Sequence, residues 1–215
     1  MTIPADLEVR APVSGDVEGI AALVAACDET YRAWAPPGWT PPPPGRELDR
    51  WHDRITDGSW WTRIAVEPRR ADASAGGEPS GRDREPAGRG KGRVVGLVCF
   101  TQAVVQRTLP APQGKLPIRP VRSSADVLTL EPIPFRAHVS AVFTHPDRWR
   151  QGIAAGLLAL AEAAMRAEGY REVQLWTPRE APARQFYEAS GWRHDGREQW
   201  LAELALPIVA YVKAL

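Results

Sequence analysis

The chain is poor in cysteine, nearly neutral and without a long apolar run, and each shortage closes off a class of function. Its two cysteines, Cys27 and Cys99, sit in apolar segments with no base beside them. That is the setting of reduced core thiols in a cytosolic protein, not of a nucleophile. The formal charge of +1 offers no global attraction for nucleic acid or an anionic membrane. No apolar stretch approaches the roughly 20 residues that span a bilayer. The start, Met1 to Asp6, lacks the basic and apolar segments of a secretory signal, so a cytoplasmic location is expected. None of the four histidines stands at metal-ligand spacing from another His or Cys, so no metal is expected. No internal repeat is present.

What remains is an ordinary soluble composition, 44% hydrophobic and 25% charged, in 215 residues, enough for one sizeable core. The pattern alternates strands and helices. A short strand at Leu7 to Arg10 precedes a helix whose apolar positions Ile20, Leu23, Val24 and Cys27 recur at helical spacing. A second helix is expected from about Glu47 to Thr56, then strands at Trp60 to Val66 and Val94 to Phe100. Between those strands, residues 69–92 contain nothing apolar larger than Ala and read as a flexible insertion. The Gly88 to Gly92 run resembles a phosphate loop only superficially, because Arg93 follows where the Walker spacing fails. A nucleic-acid role for this arginine-rich loop predicts salt-sensitive polyanion binding that is lost with the loop. Residues 106–131, with four prolines, read as a lid or irregular insertion.

The pattern is sharper downstream. A strand at Ala137 to Thr144 leads through His145-Pro146-Asp147 into a helix from about Gly152 to Glu168. Its inward positions are expected at Ile153, Leu157, Leu160, Ala164 and Met165, with Gly169 as the stop. A buried strand at Val173 to Thr177, a helix at Ala181 to Ser190 and strands at Glu198 to Leu204 and Val209 to Lys213 follow. The glycine-containing loop Arg148-Trp149-Arg150-Gln151-Gly152-Ile153-Ala154 therefore opens a long helix. Helix N-termini carry unpaired N–H groups and partial positive charge, which suits a pyrophosphate. Gly152, Ala154 and Ala155 keep the approach open, and Arg148 and Arg150 can add charge at the mouth. The same small residues would also let the helix pack closely on a sheet, and spacing alone does not choose between these readings.

A resemblance favours the first. Val142-Phe-Thr-His-Pro-Asp-Arg-Trp-Arg-Gln-Gly-Ile-Ala-Ala-Gly-Leu-Leu158 is similar to the acetyl-coenzyme A signature of the Gcn5-related N-acetyltransferase (GNAT) superfamily. Ala183-Arg-Gln-Phe-Tyr-Glu-Ala-Ser-Gly-Trp192 resembles the family's second block, in the right order and spacing. Trp149 departs from the signature's first Gln or Arg, Thr144 replaces the usual Val, and Glu180 stands where many members carry a cofactor-contacting Asn.

The resemblance implies one α/β domain over 1–215 of GNAT fold. That fold is a mixed central β-sheet of about seven strands flanked by helices, with a splay between the two central parallel strands. It implies acetyl-CoA as co-substrate, held by Val142, Phe143, Thr144, Arg150, Gln151, Gly152, Ile153, Ala154 and Ala155. The acceptor would be a primary amine of a small molecule or peptide, acetylated by direct attack in a ternary complex. Tyr187 matches the family tyrosine near the coenzyme sulfur, a general acid for the leaving thiolate. His138 is the candidate base, with Glu131 behind it. Tyr31, Trp34, Trp39 and Trp51 either line the acceptor pocket, where they would suit an amine, or fill the core. Homodimers are common in the family. A non-catalytic acyl-CoA-binding module of the same fold is the rival reading.

Overall fold

Branched residues at alternating and consecutive positions between Arg93 and Phe100 leave no polar face, which marks a central strand covered on both sides. The computed structural model, which describes residues 3–43, 45–68, 92–108 and 128–215, places this segment third in a seven-stranded sheet. The strands are β1 (Glu8–Arg10), β2 (Trp61–Glu67), β3 (Arg93–Thr108), β4 (Leu128–Thr144), β5 (Glu172–Pro178), β6 (Arg193–Leu201) and β7 (Leu206–Ala214). Their order is β1-β2-β3-β4-β5-β7-β6, and only β4 and β5 run parallel. Among the described residues no helix is long and apolar enough to cross a membrane.

Helices cover both faces. On one, α1 (Val17–Glu29) and α2 (Gly45–Asp57) bury Ile20, Leu23, Val24 and Trp51 against Ile64, Leu97, Cys99 and Ala141. On the other, α3 (Ile153–Ala167) and α4 (Ala183–Ala189) bury Leu157, Leu158, Ala161, Met165 and Tyr187 against Val98, Val139, Leu175 and Val209. Gly96 lets α3 sit this close, since a Cβ there would lie 2.7 Å from Ile153 Cγ2. Leu160, expected inside, is 43% exposed; Leu158 and Ala161 take the inward stripe instead. Cys27 and Cys99 are buried free thiols, and burial raises both pKa values, Cys27 to about 12.

Two irregularities in β4 shape the centre of the molecule. Residues 133–136 interrupt its pairing with β3, and the Gln102 amide fills the break by donating to the carbonyls of Ile133 (2.6 Å) and Arg136 (3.0 Å). Beyond the break β3 and β4 continue as a two-stranded arm, so residues 106–108 and 128–131 are strand and not irregular chain. The middle of the expected lid, 109–127, and nearly all of the expected flexible insertion, 69–91, lie outside the described residues. The second irregularity is a bulge at Ser140, because Phe100 pairs with Val139 while Cys99 pairs with Ala141. Simple alternation would put His138, Ser140, Val142 and Thr144 on one face. The extra residue shifts the phase. Val142 joins Val139 on the α3 face, and His138 shares the α1–α2 face with Ala141 and Phe143.

The expected splay follows directly after this bulge. Parallel pairing of β4 with β5 runs from Arg136↔Glu172 to Val139↔Leu175 and stops. From there β4 follows β3 to Gly96↔Thr144, while β5 follows β7 to Pro178↔Ile208. The edges of residues 140–144 and 176–178 face each other across an opening in mid-sheet. Backbone N–H and C=O groups lining such an edge need partners, and a polar, extended ligand can supply them.

Candidate active site

The glycine loop sits at the wide end of that opening. Pro146–Arg148 form one 3-10 turn, and Arg150 (φ 61°) and Gly152 (φ 83°) then take left-handed conformations that bend the chain into α3. Gly152 caps the helix without a side chain, and the first helical bond runs from Gly156 N to Gly152 O at 2.9 Å. The N–H groups of Ile153, Ala154 and Ala155 consequently have no acceptor within the helix. Arg150 and Gln151 are exposed beside them, and Arg150 has no ion-pair partner among the described residues.

Arg148 behaves differently from Arg150. Its guanidinium is tied to Asp6 at 2.8 Å and to Glu67, so it anchors the N-terminal segment to β2 and adds no free charge at the mouth. Arg93 strengthens the same corner through Asp147 at 2.9 Å and Glu67 at 3.6 Å. Trp149, the departure from the signature, donates its indole N–H to the Thr144 carbonyl at 2.8 Å. Cys27 Sγ donates to that oxygen as well, at 3.3 Å. The Thr144 carbonyl is therefore taken by the protein, whereas its buried hydroxyl oxygen has no partner among the described residues. Val142 and Phe143 are half-buried at the open edge.

Tyr187 lies one turn from the end of α4, packed 6.0 Å from Trp192 and 6.1 Å from Tyr211, centroid to centroid. Burial raises its pKa, and its hydroxyl donates to no described residue. Tyr31 is brought near it: burial foremost, then Asp28, Cys27 and Tyr187, push its phenol up. Tyr31 also stacks with Trp34 (4.6 Å) and Trp39 (5.8 Å), and Trp39 Nε1 donates to the Leu204 carbonyl at 2.6 Å. These three half-buried aromatics close one end of the α1–α2 face. Trp51 does not join them; it is 1% exposed, bonded to Glu47 at 3.0 Å, and belongs to the core.

His138 faces the α1–α2 side opposite Gln174, and its Nδ1 is buried without a partner among the described residues. Desolvation first, with Arg54 and Arg197 adding to it, lowers its pKa to about 4 against a hydrogen bond at Gln174 that raises it. The ring is neutral at neutral pH and its conjugate acid is strong, so it is a hydrogen-bond acceptor before it is a base. Glu131 pairs with Val105 on the arm beyond the break at 133–136, on the far side from the splay. Glu180 is exposed and paired with Arg179. Among the described residues no three His, Cys, Asp or Glu side chains gather as a metal site.

No motif announces two further charged groups on this face, Arg54 and Asp28. The signal for Asp28 is its place in the stripe Ile20, Val24, Asp28, a carboxylate continuing an apolar row at i+4. It is 6% exposed, and burial, reinforced by Glu47, raises its pKa from 3.8 to about 7. The folded state thus holds a proton that the unfolded chain releases, and stability falls as pH rises from about 4 through 7. Asp28→Asn is expected to raise the melting temperature at pH 8 by roughly 5 °C or more, the gain shrinking to nothing near pH 4. Thermal melts across that range check this; a constant gain, or a loss at pH 8, would show that Asp28 is not a strained buried acid.

A parallel pair that parts in mid-sheet, an unsatisfied helix N-terminus at its mouth and a phenol behind it define a coenzyme-binding acyltransferase scaffold. The chain belongs to the acetyltransferase (GNAT) family, whose model matches residues 26–192. No curated relative matches it in sequence. Solved structures agree in fold at low identity. The PaiA N-acetyltransferase of Thermoplasma acidophilum, in complex with coenzyme A, is 13% identical over 97% of this chain and 99% of its own, with a TM-score of 0.54. A GNAT-family acetyltransferase of Staphylococcus aureus is 10% identical over 97% and 99%, with a TM-score of 0.58. The NatC complex bound to Gag peptide and CoA is 16% identical over 98% and 99%, with a TM-score of 0.54.

Proposed function

We propose that this chain moves an acetyl group from acetyl-CoA to a primary amine of a small molecule or peptide within a ternary complex. The single observation that carries the reading is the splay after Val139↔Leu175 opening onto the unpaired first turn of α3. The fit is chemical at both ends. The N–H groups of Ile153 to Ala155 and the Arg150 guanidinium suit a pyrophosphate. The open edge at Val142 and Phe143 suits the amides of an extended pantetheine arm, and the Thr144 hydroxyl can bond to it where the Thr144 carbonyl cannot.

The acetyl thioester supplies an activated carbonyl carbon. The acceptor nitrogen attacks that carbon from the α1–α2 face, the carbon–sulfur bond breaks, and the sulfur takes the proton of Tyr187. A backbone N–H of Val142 or Phe143 faces the oxygen on which negative charge develops. His138 receives an amine N–H at its unpaired Nδ1 and orients the nitrogen; the neutral amine delivers its lone pair and then loses a proton to solvent, from which the Tyr187 phenolate regains the one it gave to sulfur. Thiol release from acetyl-CoA, measured with a panel of small amines and peptides, tests the reading. One thiol should appear for each acetylated amine. Tight acetyl-CoA binding with no release on any acceptor would mean a binding module instead.

A further inference from the structure

Arg54, near the end of α2, reaches the apex of the splay. Its Nη2 donates to Ser140 Oγ at 3.0 Å, and Ser140 is the first β4 residue past the last parallel pair. The guanidinium carbon lies 4.8 Å from the centroid of Trp51 and 4.4 Å from that of Trp60, so two indoles hold it. Nη1 is buried and has no partner among the described residues. No carboxylate among the described residues pairs with this guanidinium. Glu47 is engaged by Trp51 and Arg50, and Asp195 by Arg197 at 2.6 Å. Desolvation and the neighbouring Arg50 lower the Arg54 pKa to about 10, as expected of a cation without a counterion. Arg197, 5.2 Å from the Trp176 ring centroid, adds a second guanidinium to the surroundings of His138.

A half-buried guanidinium with one N–H fully buried and unspent is costly unless an anion completes it. Its planar fork matches a carboxylate. Val142 and Phe143, the donors placed against the thioester above, lie two and three residues beyond Ser140, about 7–10 Å along the strand. After one hydrogen bond at Arg54 and one attack distance at the thioester, only a few covalent bonds fit between. We propose that Arg54 binds a carboxylate of the acyl acceptor, so that the acceptor is an amino acid or similar amino-carboxylate and not a polyamine. This rests on the transfer reading above. A polycation would meet the unpaired Arg54 as a like charge, whereas the charge of Arg197 is met by Asp195.

The experiment measures kcat/KM with acetyl-CoA for a panel of amino acids, each paired with its carboxamide, and for spermidine, in wild type, Arg54→Gln and Arg54→Lys. Wild type should favour the preferred acid over its amide by about 10–100-fold, the span of one charge-assisted pair. Arg54→Gln should bring that ratio near one, through a loss with the acid several-fold larger than any loss with the amide, and Arg54→Lys should restore part of it. Spermidine as best acceptor, or an equal loss for acid and amide in Arg54→Gln, would overturn the assignment; the second outcome would leave Arg54 as a strut between Trp60 and Ser140. A preference for succinyl-CoA over acetyl-CoA, erased in Arg54→Gln, would place the anion on the donor and overturn it too. If no amine releases thiol although acetyl-CoA binds, the transfer reading fails by itself. Arg54 is then judged by melting with CoA present: amino acids should raise the midpoint of wild type and not of Arg54→Gln, and no rise in wild type would end the proposal.

Discussion

Gly152→Val is expected to weaken acetyl-CoA binding by on the order of 100-fold, the loss of one or two charge-assisted hydrogen bonds. Gly152 holds φ 83° immediately before α3. A β-branched residue there costs about 1–2 kcal/mol in backbone strain. Relieving that strain turns the N–H groups of Ile153 to Ala155 away from a common point, and the new side chain occupies the approach. Trp149→Ala removes one indole bond to the Thr144 carbonyl, which Cys27 still engages, and should cost less than about tenfold. Titration calorimetry with acetyl-CoA ranks the two. If Trp149→Ala proves the more damaging, a side chain and not the helix N-terminus carries the binding.

Tyr187→Phe is expected to lower kcat by about 10²–10⁴-fold while leaving acetyl-CoA affinity within about twofold. The phenol is protonated at neutral pH, and burial only strengthens its hold on the proton until a thiolate forms beside it. Phe preserves the packing on Trp192 and Tyr211, so a fold defect is not expected to confuse the result. Steady-state kinetics set beside direct binding separate the roles. Equal losses in kcat and affinity would make Tyr187 a packing residue against the coenzyme.

Of these two candidates, Gly152 stands out because it opens a periodic helix, whereas Tyr187 is singled out by the family resemblance of the block from Ala183 to Trp192. The splay came from the family resemblance, and the strand order agrees with it. Other features depend on contacts that no local pattern encodes. The Ser140 bulge adds one residue to β4 and reverses the face of everything after it, so strict alternation misassigned Val142 and Thr144 relative to His138. Arg148 looked like a phosphate ligand until the fold brought Asp6 and Glu67 to it from distant segments. The arm made by β3 and β4 was hidden because the four prolines within residues 106–131 read as irregular chain, although the strands pair again beyond a break that the Gln102 amide fills. Arg54 looks like an ordinary charge on an amphipathic helix, and only its contacts with Trp51, Trp60 and Ser140 single it out; Asp28 is marked in the sequence by continuing an apolar stripe, and its burial makes that mark count.

The most direct test of the central claim is a crystal structure of the chain with coenzyme A. The pyrophosphate is expected on the N–H groups of Ile153 to Ala155, the pantetheine arm along Val142 and Phe143 in the gap between β4 and β5, and the sulfur within reach of the Tyr187 hydroxyl. Coenzyme A bound elsewhere, or a splay left empty at saturating ligand, would contradict the account.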